Sequence, residues 1–162
     1  METIAVYWEP RIKTYGFQRI TDLALIEFSC PLSKIKSLGE ILSKDDLKIV
    51  RPKFIISQVS NHEISFIFCL PLKESKDFHT SLEKNSSPTL HKYIHPVSII
   101  FFHGPHFGDR YGIANATFSS LSKAGMKIIA SGCSSASVFL VLAQHDIDKA
   151  EEILSETFEV AK

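Results

Sequence analysis

The chain has 162 residues, with 18 Lys and Arg against 18 Asp and Glu, so its formal charge is zero. That balance argues against binding nucleic acid or an anionic membrane surface, both of which need a clustered surplus of Lys and Arg. Apolar residues make up 44% of the sequence, enough for a hydrophobic core and against disorder.

The longest apolar stretch, Ile64 to Leu72, falls far short of the roughly 20 residues that cross a bilayer, and Met1-Glu2-Thr3 lacks the basic start of a secretory signal. A cytoplasmic protein is expected. Cys30, Cys69 and Cys133 form no CxxC pair and cannot all be joined in disulfides, which suits a reducing compartment. Each reads as a small buried hydrophobe.

Residues 3 to 17 have extended character, through Ile4, Val6 and Trp8 and then Ile12 and Thr14. A strand is predicted over Leu23 to Phe28, a helix over Ser33 to Leu42, and strands over Phe54 to Val59 and Ile64 to Leu70. A second helix follows over Ser75 to Lys84. Asn85 to Pro96, with Ser86-Ser87-Pro88 inside, reads as a linker.

Val97 to Phe102 is a β-branched and aromatic run ending at Gly104-Pro105, and is predicted to be a strand. Ile113, Ala114, Thr117, Phe118, Leu121 and Ala124 share one face of a 3.6-residue helix, and Gly125 sits where a left-handed C-terminal cap belongs. Met126 to Ser131 and Ser137 to Ala143, split by Gly132-Cys133-Ser134-Ser135, read as a hairpin. Asp146 is the expected N-cap of a last helix built on Ile147, Ala150, Ile153, Leu154, Thr157 and Phe158.

The chain repeats itself. Ile55-Ile56-Ser57-Gln58 through Ile64-Ser65-Phe66-Ile67-Phe68 lies over Ile128-Ile129-Ala130-Ser131 through Ser137-Val138-Phe139-Leu140-Val141 at a shift of 73. Both halves run strand, helix, strand, strand, helix. The fold class predicted is α+β: two tandem ferredoxin-like βαββαβ units with antiparallel sheets and helices on one face. The first unit, with an N-terminal extension, occupies residues 1–87 and the second 88–162. Only Glu159 to Lys162 follow the last helix, too few for a good strand, so the N-terminal segment is expected to complete one of the sheets.

These residues resemble the ACT domains, and most closely the paired ACT domains at the regulatory end of aspartate kinases. Gly108-Asp109-Arg110-Tyr111-Gly112-Ile113-Ala114 is similar to the Asp-Arg-Pro-Gly-Ile loop of that family, with Tyr111 in place of its proline. Met126-Lys127-Ile128-Ile129 sits where the family has a Gly-x-Asn-Ile strand. Ile56-Ser57-Gln58 and Ile64-Ser65-Phe66 are similar to pieces of aspartate kinase hairpins. The first repeat has Ser29-Cys30-Pro31-Leu32-Ser33 at the equivalent loop, without a glycine. No glycine-rich phosphate cradle with a lysine is present, so kinase chemistry is not expected.

The second loop has a chemistry of its own. A glycine at position 112 lets the backbone approach a ligand, and the unpaired N–H groups of Gly112, Ile113 and Ala114 together with the helix dipole favour a carboxylate. Asp109 is placed to pair with an α-ammonium, and Arg110 either caps the site or points to solvent. The expected binding residues are His106, Phe107, Gly108, Asp109, Arg110, Tyr111, Gly112, Ile113, Ala114, Ile128 and Ile129. The alternative is that these residues only build a turn into a helix, as Gly and Asp often do.

The resemblance implies a non-catalytic allosteric sensor, or a regulatory subunit of an aspartate kinase, that binds a small amino acid near Phe107 to Ala114 at the seam between units. Lysine and threonine are the first ligands it suggests. A homodimer formed by pairing sheet edges is expected, with a separate biosynthetic enzyme as a further partner and no cofactor. The rival is a structural dimerisation module without a ligand.

His91, His95, His103 and His106 lie close in sequence, but their spacing across a linker, a strand end and a loop is poor for a metal site, and none is expected. Cys133 lacks an evident positive neighbour and is not expected to be a nucleophile. Trp8 and the 12 phenylalanines are read as core rather than as a stacking surface.

Overall fold

A computed structural model describes residues 11–43, 51–85 and 88–160. The extended reading of Ile4, Val6 and Trp8 lies outside the described residues. The elements are β1 (Lys13–Thr14), β2 (Phe17–Pro31), α1 (Ile35–Leu42), β3 (Phe54–Ser60), β4 (Glu63–Pro71), α2 (Leu72–Glu83), β5 (Thr89–His103), α3 (Ile113–Lys123), β6 (Ala130–Cys133), β7 (Ser137–Ala143), α4 (Ile147–Thr157) and β8 (Glu159–Val160). Short 3-10 turns, Leu32–Lys34 and Gln144–Asp146, lead into α1 and α4.

The chain forms two compact units, Asp22–Val97 and Met1–Thr21 together with Ser98–Lys162. The change of unit falls inside β2 and β5 rather than in a connecting loop.

In the unit Asp22–Val97 the elements run strand, helix, strand, strand, helix, strand, and the sheet order is β3-β4-β2-β5. That is the α+β ferredoxin-like arrangement. β2 and β3 both pair antiparallel to β4, with Ile26 opposite Phe68 and Ile55 opposite the same Phe68 from the other side. Alternation along the strands puts Ile26, Phe28 and Cys30 with Ile64, Phe68 and Leu70 on the core face. Helical spacing supplies the cover, through Leu38 and Ile41 of α1 and Ser75, Phe78 and Leu82 of α2. Phe28, Phe66, Phe68 and Phe78 form the aromatic centre, with Phe28–Phe68 centroids 5.3 Å apart and edge-on.

In the other unit the order is β2-β5-β7-β6, with residues 17–21 of β2 and 98–103 of β5 taking part. The N-terminal stretch from Phe17 therefore fills the fourth-strand position of this sheet. Phe17 packs on Phe102 and Phe158, at 5.2 and 6.5 Å between centroids. Ile113, Thr117 and Leu121 of α3 and Ile147, Ala150 and Leu154 of α4 are buried at helical spacing. They close over Ile100, Phe102, Val138, Leu140 and Leu142. The residues after α4 are not idle: β8 pairs parallel to β1, with Lys13 opposite Glu159.

Several local expectations are corrected. The supposed linker before Pro96 is mostly strand, because β5 starts at Thr89. Its polar residues find partners on β2, where His91 Nε2 lies 2.8 Å from Ser29 Oγ and Lys92 Nζ donates to Glu27 Oε2 at 2.6 Å. The apolar run from Met126 becomes strand only at Ala130, and Gly132 and Cys133 belong to β6 rather than to the turn. Met126 N–H instead closes α3 by donating to Leu121 O at 2.9 Å, while Gly125 N–H donates to Ser122 O at 3.0 Å, the two bonds of a Schellman cap with Gly125 at φ +70. Asp146 precedes α4 without a side-chain capping bond. Cys30 and Cys69 are buried as expected, whereas Cys133 is exposed.

Candidate functional site

The loop from Gly104 to Gly112 joins β5 to α3 and is held at both ends. At its start Gly104 passes directly against β1. A Cβ at Gly104 would stand 2.3 Å from Lys13 O, 2.6 Å from Phe107 Cε1 and 2.9 Å from Thr14 Cα, so only glycine fits. Thr14 Oγ1 donates to His103 O at 2.8 Å, and Tyr15 N–H donates to the same oxygen at 2.9 Å. Phe107, 8% exposed, plugs into the core edge-on to Phe102 at 5.9 Å.

Between these anchors the backbone turns on His106, which has φ +63 and whose carbonyl accepts from Asp109 N–H at 3.0 Å and Arg110 N–H at 2.8 Å. Asp109 is exposed, Arg110 is half-buried, and Tyr111 is 96% exposed. Gly112 then enters α3 with φ +89, a left-handed conformation that L side chains adopt at a cost, and nothing lies within 4 Å of where its Cβ would be. Gly112 O accepts the first helical bond, from Ala116 N–H at 2.8 Å.

No side chain caps the start of α3. The first-turn N–H groups of Ile113, Ala114 and Asn115 have no intrahelical partner, and they carry the positive end of the helix dipole. Such a corner suits a carboxylate or another small anion. Ile113 and Phe107 turn their side chains into the core and can offer a ligand only backbone, whereas Ala114 is exposed and Thr117 is buried with Oγ1 donating to Ile113 O at 2.8 Å.

The hairpin between β6 and β7 forms a second wall. Ser134 Oγ accepts from Ala136 N–H at 3.3 Å and Ser137 N–H at 3.1 Å, and Ser134 N–H donates to Ser137 O at 2.9 Å, which fixes the tip. A Cβ at Gly108 would lie 3.5 Å from Ser135 O, so tip and loop touch. Neither Gly104 nor Ser135 was among the residues expected from sequence. Gly104 had a signal, as the glycine at the strand end, but what crosses it is 90 residues away in the chain. Ile128 and Ile129 are half-buried, and Ile129 N–H donates to Val141 O at 2.8 Å, so both help seat the β6–β7 hairpin.

Cys133 is exposed, but desolvation of its sulfur raises the thiol above its ordinary value, which lowers the thiolate fraction. His91 and His95 lie on β5, where His95 tilts against Tyr93 at 4.8 Å, and His103 tilts against Tyr15 at 5.3 Å. Among the described residues no group of three or more His, Cys, Asp or Glu is placed to hold a metal ion, and no helix is long and apolar enough to cross a membrane.

No protein-family profile and no curated protein sequence matches the chain. Solved structures do match it. The regulatory subunit of aspartate kinase from Thermus thermophilus superposes with a TM-score of 0.71 at 15% identity, over 90% of this chain and 99% of that one. The aspartate kinase of Synechocystis superposes with a TM-score of 0.78 at 18% identity, over 91% of this chain but 27% of that one. The chain has the fold of aspartate kinase regulatory domains. Aspartokinase III of E. coli, in complex with lysine and aspartate, also shares it, with a TM-score of 0.60 at 14% identity over 94% of this chain and 35% of that one. Two ACT-like ferredoxin units, expected from the internal repeat and the glycine-marked loop, are thus the architecture of solved structures that span either this length or about three times it.

Proposed function

We propose that this chain is a non-catalytic, cytoplasmic regulatory protein that binds a small amino acid at the entry of α3 and passes that state to a separate biosynthetic enzyme, an aspartate kinase. The observation that supports it is the uncapped start of α3 behind Gly112, where positive φ and open space leave backbone amides accessible. The α-carboxylate meets the amides of residues 113 to 115, and Asp109 takes the α-ammonium. Each charge-assisted bond contributes on the order of 1.5 to 3 kcal/mol where it is shielded from water. His106, Gly108, Arg110 and Tyr111 line the approach, and Ile128 and Ile129 support the hairpin opposite.

Regulation follows from differential affinity. An amino acid that binds one conformation of the protein better than another shifts the population by the ratio of the two affinities, and the enzyme that prefers one conformation reads the shift. Lysine and threonine are the ligands to test first, and lysine has a precedent in the complex of E. coli aspartokinase III.

A thermal-shift panel of the twenty amino acids tests this reading. A ligand present at a hundred times its Kd stabilises by about 2.7 kcal/mol, a clear rise in Tm. Stabilisation by one or two amino acids that is lost in Gly112→Val supports the sensor. A flat panel overturns it and leaves an interaction module without a ligand.

A further inference from the structure

The two units are unequal in the way the chain builds them. The unit Asp22–Val97 is one unbroken segment, whereas the other is assembled from residues before it and residues after it. Each has its own core. The cluster around Phe28, Phe68 and Leu82 draws on residues between Ile26 and Tyr93, and the cluster around Phe102, Leu140 and Leu154 draws on Ile12, Phe17 and residues from Ile100 to Phe158. Among the described residues no side chain belongs to both clusters.

We infer that folding depends one way: Asp22–Val97 folds by itself, and the other unit folds only while Asp22–Val97 is folded. Three observations carry this. First, the segment before Asp22 is integral to its unit. Phe17 packs 5.2 Å from Phe102 and 6.5 Å from Phe158 between centroids, Thr14 Oγ1 donates to His103 O at 2.8 Å, and Arg19 pairs with Asp148 and Glu151 of α4. Without residues 17–21 the sheet of that unit also loses its fourth strand.

Second, the chain connects the two pieces through Asp22–Val97. When that unit is unfolded, residues 22 to 97 become a loop that must close before Phe17 can reach Phe102. Closing it is on the order of fiftyfold less favourable than closing a connection of about five residues. Units half the length of this chain are marginally stable, so such a factor decides whether they fold. When Asp22–Val97 is folded, β2 and β5 leave it as neighbouring strands, and the closure is already made.

Third, the converse cost is absent. The strands, helices and core of Asp22–Val97 lie on consecutive stretches of one segment. Unfolding the other unit leaves it with two loose tails, and tails carry no closure entropy. The consequence is a built-in hierarchy. The loop Gly104–Gly112 lies in the dependent unit, so whatever melts Asp22–Val97 dismantles that loop, while melting the unit that carries the loop leaves Asp22–Val97 intact. The inference does not rest on the amino-acid reading, since connectivity and the two cores carry it.

Amide hydrogen exchange of the full chain, resolved by peptide, tests it with one fully buried leucine replaced in each unit. Leu82→Asp in α2 should strip protection from both units, from the β3–β4 ladder and from α3 and α4 alike. Leu154→Asp in α4 should strip α3, α4 and residues 11–21, while the β3–β4 ladder stays protected at least about a hundredfold over the unfolded chain. Phe28→Asp and Leu140→Asp repeat the pair at other buried positions. Protection of α3 and α4 in Leu82→Asp overturns the inference, and so does loss of the β3–β4 ladder in Leu154→Asp. The wild type in rising urea gives a second measurement: α3 and α4 should open at or below the urea concentration that opens β3–β4. Opening of β3–β4 while α3 and α4 stay closed overturns the hierarchy.

Discussion

Gly104 and the carbonyl oxygen of Lys13 pass so closely that a methyl group on Gly104 would stand 2.3 Å from that oxygen. The contact ties the N-terminal stretch to the end of β5 at the point where the candidate site begins. Gly104→Ala must displace backbone at Lys13 and Thr14 rather than a flexible side-chain tip. The expected cost is about 3 kcal/mol, at the upper end for overpacking, read as a lower midpoint in urea with an unchanged m-value. A variant as stable as the wild type would show that β1 does not sit against this glycine in solution.

Gly112 and Gly125 bracket α3, both at positive φ, at +89 and +70. Alanine at either position adopts a left-handed conformation at a cost of roughly 1–2 kcal/mol. The two variants should lose similar stability and differ in function. Gly125→Ala sits at the far end of the helix and should keep the amino-acid-induced rise in Tm, whereas Gly112→Ala, at the entry, should weaken it. Equal loss of the thermal response in both would assign the effect to helix stability and not to the site.

Glycine at the entry of α3 was legible because its reason is local: a strand ends, a 3.6-residue pattern begins, and the turn between them needs positive φ. The helices were legible for the same reason, since Ile113, Thr117 and Leu121 mark a buried face whatever else the chain does. The start of β5 was not. Thr89 to Pro96 alternates poorly and ends in proline, and its strand character comes from Ser29 and Glu27, about sixty residues earlier, which receive His91 and Lys92. Met126 to Ile129 misled in the opposite direction. Its apolar residues serve the Schellman closure and the core, and only Ile129 N–H reaches across to Val141 O, so hydrophobicity alone overstated the strand. In the candidate site the loop could be located from its glycine, but its contacts with Lys13 and Ser135 could not, because closeness between distant segments leaves no local pattern.

Arg11 reaches the C-terminal end of α4, where Nη2 donates to Phe158 O at 3.0 Å, to Ser155 O at 3.4 Å and to Glu156 O. These carbonyls lack intrahelical partners and carry the negative end of the dipole. Arg11→Ala should cost about 1 kcal/mol, because the site is largely exposed and screened. Arg11→Lys should recover part of the loss, since an ammonium keeps the charge but not the planar fork of donors. The difference between Arg11 and Arg11→Ala should shrink in 1 M salt, and a salt-independent difference would assign the effect to packing of the side-chain stem instead.

Burial pushes the Cys69 thiol up to about 12 from its ordinary value of 9.0. The folded state therefore holds the proton where the unfolded chain has released it. Between pH 9 and about 12 the folded state binds more protons than the unfolded, so stability falls with rising pH by up to 1.4 kcal/mol per unit, and below pH 9 this group contributes no slope. Cys69→Ala removes the thiol and loses its packing at every pH. The gap between wild type and variant should consequently narrow as pH rises from 8 to 10.5 in urea unfolding, and a constant gap would show that the sulfur is reached by water in the folded protein. Thiol titration with Ellman's reagent gives an independent reading: exposed Cys133 should react first, more slowly than free cysteine because its thiol is also raised, while buried Cys30 and Cys69 should react only on unfolding.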